Sequence, residues 1–478
     1  MATSEVELTT VNNSPLTSLN LSANHNDVAS SPQHINETSL APVDSGFGAW
    51  SFLAAASCIE MIVWGFPNAY GVFLIKYLDD PHWSSQRQAS FLLPLVGPLS
   101  SGIMYCAGPI TYPLVARYPR HRRTCLWLGA VCVFASLLGA SYARSIAALV
   151  ALQGALYAVG GVLLYAPTIY YMSEWFVARR GLASGAIDAG TALGGLLLPL
   201  ILPPLLNKYD TPKMLRSLGI AEGIVLVLTL PFIRGRPPES RVQGPSARAH
   251  QANTAGRVYT RNKSFWIVIL VTLLQGLAYF TPLLWLSAYA SSLHLSSNSA
   301  SLALAFLNGA SVVGRLSMGI LSDRFNPWML ASVTLLSTAF SVFVLWGVLS
   351  YTFTGIVIYG IAYGCLAGGY SSLWTGFVRP IAKDDPTMST TIFGFLMLSR
   401  GICNILSTPI STAMQPSQSY TVSLQAPSHH EIGLKLAGGQ YKKVIIYAGT
   451  CFVAAAAVVA VGWIVERRHP SSINFSRR

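Results

Sequence analysis

Charge is what this chain has least of. Only 10% of its 478 residues are Asp, Glu, Lys or Arg, where a soluble domain carries about a quarter. With 52% hydrophobic residues and a mean hydropathy of +0.48, that scarcity excludes an ordinary soluble fold and implies an integral membrane protein. Cysteine is also sparse. Cys58, Cys106, Cys125, Cys132, Cys365, Cys403 and Cys451 all fall in apolar runs, without Cys-x-x-Cys spacing or a neighbouring His. Neither a disulfide framework nor a metal site is indicated, and these thiols read as small packing groups. The chain lacks a Gly-x-x-x-x-Gly-Lys-Ser/Thr loop, so ATP drive is not expected. No paired carboxylates or nucleophile motif stand in a plausible site, so no enzyme and no cofactor is expected. The first 46 residues contain no Lys or Arg and no apolar core, which argues against a cleavable signal peptide. Their Ser, Thr and Asn content reads as a disordered tail, and Asn12, Asn20 and Asn36 are chance sequons if that tail is cytoplasmic.

What is present is a series of long apolar runs. A bilayer core needs roughly 20 apolar residues per helix, and twelve runs meet that length. The first six are Trp50–Lys76, Gln88–Tyr112, Thr124–Tyr142, Ile146–Trp175, Gly181–Leu206 and Met214–Ile233. The last six are Phe265–Ala290, Ser299–Leu321, Trp328–Leu349, Thr352–Phe377, Met388–Thr412 and Val444–Val465. The polar, basic stretch 234–263 separates them as a linker. The expected organisation is therefore a tail (1–46), a six-helix half (47–233), the linker, a second six-helix half (264–466) and a short tail (467–478). Two parallel halves of this kind place a substrate near the midplane between them. Gly and Tyr recur in spans four and ten as a faint internal echo.

The net charge of +13 is distributed as topogenic charge and not as a nucleic-acid surface. With both termini inside, 20 of the 31 Lys and Arg fall in inner segments and 9 in outer ones, which supports that orientation. Nothing marks an organellar address, so the plasma membrane is the expected location, with the bilayer as solvent and a monomer as the working unit. The stretch Tyr170–Gly195 concentrates the topology signal. It closes one span, turns on Arg179-Arg180-Gly181 and opens a small-residue helix carrying Asp188.

Ionisable groups at membrane depth are costly and are functional candidates by default. Glu60, Asp188, Glu222, Arg315 and Arg400 qualify, Glu222 being the weakest. Helical spacing groups them with polar neighbours: Glu60, Trp64, Pro67, Asn68 and Gly71 on span one; Ser184, Asp188, Thr191 and Gly195 on span five; Asn308, Ser311 and Arg315 on span eight. Gln275 and Tyr279 share a face of span seven. Tyr359, Tyr363, Tyr370 and Trp374 line span ten, and Phe393, Met397, Arg400 and Asn404 line span eleven. Any one such aromatic row is more often helix packing than a site. Several polar rows together outline a central cavity. Two arginines facing it attract an anion, most naturally a carboxylate, and Glu60 or Asp188 are candidates to carry a proton. The predicted substrate contacts are Arg315, Arg400, Asn68, Gln275, Tyr279, Asn308, Tyr363 and Tyr370.

Three motifs carry a family resemblance. Asp44-Ser45-Gly46-Phe47-Gly48-Ala49-Trp50 is similar to the Asp-Gly-Gly-x-x-Ala-Trp entry to span one in the monocarboxylate-transporter-like branch of the major facilitator superfamily. Trp175-Phe176-x-x-Arg179-Arg180-Gly181-Leu182-Ala183-x-Gly185 resembles its second signature. Gly319-Ile320-Leu321-Ser322-Asp323-Arg324 resembles the superfamily's loop motif after span eight, whose counterpart near Gly108–Arg123 is degenerate. The resemblance, with fungal members above all, spans about residues 44–466. It implies a major facilitator fold, all-α with twelve transmembrane helices in two halves, and gradient-driven transport, often proton-linked. It also implies that Arg315 is the substrate arginine and that Asp323, Arg324 and Arg179–Gly181 work in conformational change. The chain departs from the pattern at Ser311, where an Asp is usual, and at Asn68, where lactate-type members have Lys. The expected function is transport of a small organic acid or amphipathic metabolite, plausibly its export, as fungal relatives of this kind do for pathway products. Proton-linked monocarboxylate uptake and a non-transporting nutrient receptor on the same fold stay open; a channel is disfavoured by the two-half organisation.

Overall fold

The computed structural model describes residues 41–236, 259–293, 295, 297–382, 385–414, 434 and 439–468. Most of the expected linker, most of both tails and most of the 415–443 loop lie outside the described residues. Every regular element among the described residues is helical.

Twelve membrane-crossing elements follow in order. They are α1 (Gly46–Asp79), α2 (Ala89–Cys106 continued by Gly108–Arg117), α3 (Arg122–Ala140), α4 (Ile146–Trp175), α5 (Arg180–Lys208) and α6 (Thr211–Thr229), then α7 (Lys263–Ser292), α8 (Ser297–Arg324), α9 (Pro327–Leu349), α10 (Phe353–Ala382), α11 (Pro386–Ala413) and α12 (Lys442–Arg468). Eleven are long and apolar enough singly, and the bent α2 makes the twelfth. The expected spans all have counterparts, and most helices run a few residues past the apolar runs because polar ends extend beyond the hydrocarbon core.

Local chemistry sets several starts. At α9 and α11 an Asx residue precedes a proline at the first helical position. Asn326 Oδ1 accepts from Trp328 N at 2.9 Å, and Asp385 Oδ1 accepts from Thr387 N at 2.9 Å. Each satisfies an N–H that the first turn leaves free, while the proline gives up none that is needed. Thr352 caps α10 through Gly355 N.

Four of the described helices are less regular than their apolar runs suggest. The two parts of α2 meet at 46° where Ala107 is followed by Gly108-Pro109, since a proline ring cannot fit the preceding helical turn. A π turn occupies Val150–Leu156 in α4 and another Ser341–Leu349 in α9. In α10 a 3-10 turn at Tyr370–Leu373 follows Gly368-Gly369.

The periphery is apolar and exposed, as a lipid-facing surface must be. Trp127, Leu128 and Val131 on α3, Ile224, Val227 and Leu228 on α6, Val333, Leu336 and Phe340 on α9, and Val453 and Val461 on α12 are all exposed. The centre is built by α1, α5, α8 and α10 with α2 against α11. Small residues set how closely these backbones approach. At the end that carries Asp44 and Asp323, a Cβ on Gly185 would stand 3.1 Å from Gly319 Cα, and one on Gly108 only 2.8 Å from Gly394 O. The first six helices thus meet the last six backbone to backbone at this end. Replacing Gly185 with Leu should hold α5 and α8 apart there and reduce transport at least tenfold, measured as solute flux in reconstituted vesicles at matched protein content. Unchanged flux would show that this contact is dispensable.

Candidate functional site

The deepest polar groups come from α1, α5, α7, α8 and α11. Arg315 projects from α8 with only 7% exposure, and Arg400 from α11 with 4%. Arg315 Nη1 donates to the backbone carbonyl of Asp188 at 2.5 Å and Nη2 to the Tyr279 hydroxyl at 3.4 Å. The Arg400 guanidinium lies 4.2 Å over the ring of the same Tyr279, 5.6 Å from Phe280 and 5.7 Å from Trp374, and beside Tyr105. One phenol therefore touches both cations, through its edge oxygen and through its face. Tyr279 is itself fixed, because Tyr363 Oη donates to its backbone carbonyl at 2.9 Å.

Among the described residues neither arginine is ion-paired to an acid side chain, unlike Arg122 with Glu174 or Lys213 with Asp210. Two donors of the pair, Arg315 Nε and Arg400 Nη1, are buried without a hydrogen-bond partner. Stacking on aromatic faces compensates a guanidinium in part, but such donors are costly to bury unmatched.

The acids stand close without neutralising this pair directly. Asp188 turns its carboxylate toward Ser371 and Ser372 in the 3-10 turn of α10, which is why Arg315 meets its backbone and not its side chain. Glu60, 3% exposed, accepts at Oε1 from Thr191 Oγ1 at 2.8 Å, while Oε2 has no partner. Tyr112 and Tyr165 complete its surroundings. Arg315 reaches Asp188 through the backbone carbonyl.

The predicted residues thus divide into groups. Arg315, Arg400, Tyr279, Tyr363, Asp188 and Glu60 come together. Asn68 and Asn308 meet elsewhere, around Gly195, where Asn308 Nδ2 donates to Gly195 O at 3.1 Å. Gln275 is fully buried one turn from Tyr279 with both amide atoms unmatched, and the Tyr370 hydroxyl is also unmatched. Sequence periodicity missed Tyr105, its tilted ring contact with Trp64 at 4.4 Å between ring centres, and the serines facing Asp188. The glycine pair before Ser371 and Ser372 was the available signal for a break in α10.

At the end that carries the chain's described N-terminal segment, two carboxylates hold one loop. Asp44, in a left-handed backbone conformation (φ 58°) that Asp tolerates better than most residues, accepts from the N–H groups of Val177, Ala178 and Arg179 at 2.9–3.0 Å. Asp323, at the end of α8, accepts from Gly181 N and Leu182 N at 2.7 and 2.8 Å. These N–H groups are the unsatisfied donors of the α5 start, a favourable seat for an anion. Gly181 is required here: a Cβ would fall 2.5 Å from Gly319 O. Arg179 and Arg324 are exposed, whereas Arg180 is buried beside Met172, Ser173, Thr390 and Phe393. Towards the opposite end of α1, Asn68 is exposed and a Cβ on Gly71 would meet nothing within 4 Å. Asp323→Ala should cost about 2 kcal/mol of closure energy and lower the thermal unfolding midpoint of the purified protein. Arg324→Ala should leave it unchanged, and equal effects would contradict this assignment.

Comparison with known proteins agrees with the fold. A family model described as Major Facilitator Superfamily matches residues 109–408. An MFS-type transporter of Aspergillus niger is 26% identical over 78% of this chain and 83% of its own length. The aspyridones efflux protein of Emericella nidulans is 25% identical over 78% and 72%, and the fujikurins efflux protein of Gibberella fujikuroi 25% over 70% and 69%. Among solved structures, the proton:xylose symporter XylE has a TM-score of 0.64 at 15% identity, covering 86% of this chain and 95% of that one.

Proposed function

The chain belongs to the Major Facilitator Superfamily of secondary transporters, and from that premise we propose that it moves an organic anion or acid-bearing amphipathic metabolite across the plasma membrane, outward from the cell. The observation that carries this reading is the pair of buried guanidiniums sharing Tyr279, with no carboxylate bound to either and one donor of each unmatched. A carboxylate is the planar acceptor that satisfies two guanidinium donors at once. Tyr105, Phe280 and Trp374 around Arg400 supply apolar surface for the rest of the molecule.

Export is favoured because two of the relatives named above are efflux proteins for fungal metabolites. Both termini are taken as cytoplasmic on the distribution of Lys and Arg. On that orientation the end sealed by Asp323 and the paired glycines faces the cytoplasm, with the acid seat covered from that side. Glu60 is the proposed proton carrier. Two permanent cations and two acids share this region, so entry of an anion makes protonation of one acid favourable in a low-dielectric site. Glu60 has an oxygen without a partner, whereas Asp188 faces two hydroxyls. The monocarboxylate-like branch, suggested by the Asp44 and Arg179–Gly181 motifs, fits the same chemistry. Its usual proton route is unavailable here, since Ser311 and Asn68 replace the ionisable residues of the pattern.

Flux of labelled hydrophobic and short organic acids into reconstituted liposomes, with and without an imposed pH gradient, tests the proposal. Arg400→Ala should reduce flux at least tenfold, while the exposed Arg120→Ala stays at the wild-type rate. Binding without flux of any acid would replace the transporter with a receptor on the same fold.

A further inference from the structure

Glu60, Asp188 and Arg315 lie on three helices that meet, and two turns along each stands a second polar layer. Asn68 is eight residues beyond Glu60 on α1, Gly195 seven beyond Asp188 on α5, and Asn308 seven before Arg315 on the antiparallel α8. Two turns return to nearly the same face and advance roughly 10 Å. The deep layer is covered, with its charged groups more than nine-tenths buried, whereas Asn68 is exposed and Asn308 half-buried. The second layer is therefore the floor of the open side.

Its geometry is that of a notch. Asn308 is held in place by donating to Gly195 O at 3.1 Å. The missing side chain of Gly195 leaves a space whose sides are Asn308 Oδ1 and Asn68 Nδ2, each 3.6 Å from the position a Cβ would take. One side is an acceptor, the other a donor, and both are neutral. Trp64 lies midway on α1, one turn from each layer, with its ring against Tyr105. It makes the wall between the layers largely apolar.

We infer that this notch is a second, uncharged subsite that receives a hydroxyl or carboxamide of the substrate. The transported molecule is then an extended anion with its acid at the guanidinium pair and a neutral hydrogen-bonding group about 10 Å away, separated by an apolar body. This rests on the reading of Arg315 and Arg400 as the acid seat and adds a length and a second functional group to it. A carboxylate in the notch would face no cation, so a second acid at that end is disfavoured.

The full chain in detergent, with labelled octanoate as the bound probe, tests this by competition. Unlabelled 8-hydroxyoctanoate should compete about fivefold better than octanoate, the effect of one added hydrogen bond, and octanedioate no better than octanoate. Asn308→Ala, Asn68→Ala and Gly195→Ala should each abolish the preference for the hydroxy acid over octanoate. Gly195→Ala is the structurally mild variant, because its methyl would make ordinary van der Waals contacts. If the wild type does not distinguish the two acids, or the variants weaken both alike, the inference is overturned. Loss of octanoate binding in Arg400→Ala would still leave the acid seat standing. If the wild type binds no acid, the acid seat and the notch fall together.

Discussion

Two guanidinium groups meet on one phenol in the middle of a membrane protein, and much of the central architecture follows from keeping them there. Arginine stays charged in any protein environment, so it must be compensated without the usual ion pair. Arg315 is met by a backbone carbonyl and the Tyr279 hydroxyl, and Arg400 by the faces of Tyr279, Phe280 and Trp374. These contacts need α7, α8, α10 and α11 at fixed distances, and the Tyr363 bond to Tyr279 O contributes to that fixity. The compensation is incomplete, because Arg315 Nε and Arg400 Nη1 stay unmatched, and the proposed anion would complete it.

The same centre is linked to the end that closes. Arg315 bonds α5 at Asp188, and about one turn further along α8 Gly319 packs on Gly185, with Asp323 on Gly181 and Leu182 about one turn beyond it. On the proposed reading, an acid held at Arg315 would act on the helix whose end forms the seal. Asp44 holds the preceding three residues of the loop from within the first six helices. A separation of α5 from α8 then breaks the Asp323 bonds and leaves the Asp44 bonds intact, so the loop moves with α1 and α4.

Much of this was legible in the sequence because bilayer chemistry leaves few choices. Apolar length marked every span, and the energetic cost of buried charge singled out Glu60, Asp188, Arg315 and Arg400. Periodicity also placed Asn308 with Arg315 and Asn68 with Glu60 on common faces, although not their meeting at Gly195. Adjacency between helices was illegible: nothing in the order of residues pairs Asn308 with Gly195, Thr191 with Glu60, or Tyr105 with Arg400. Helix irregularity was legible only in part. Gly108-Pro109 is a local breaker at the bend of α2 that a count of apolar length passes over, whereas the π turns of α4 and α9 fall in smooth apolar runs with no local breaker. The motif around Asp44 pointed to a family, but its three hydrogen bonds from backbone N–H groups depend on a loop 133 to 135 residues away in sequence, and only the folded chain displays them.

The central claim is that the guanidinium pair is the seat of the substrate's acid group. A structure of the purified protein with a bound organic acid tests it most directly. The account predicts the carboxylate between α8 and α11, accepting from Arg315 Nε and Arg400 Nη1, with Tyr279 still touching both side chains. A carboxylate bound away from both arginines, or Arg315 and Arg400 found instead in ion pairs with Asp188 and Glu60, would contradict it.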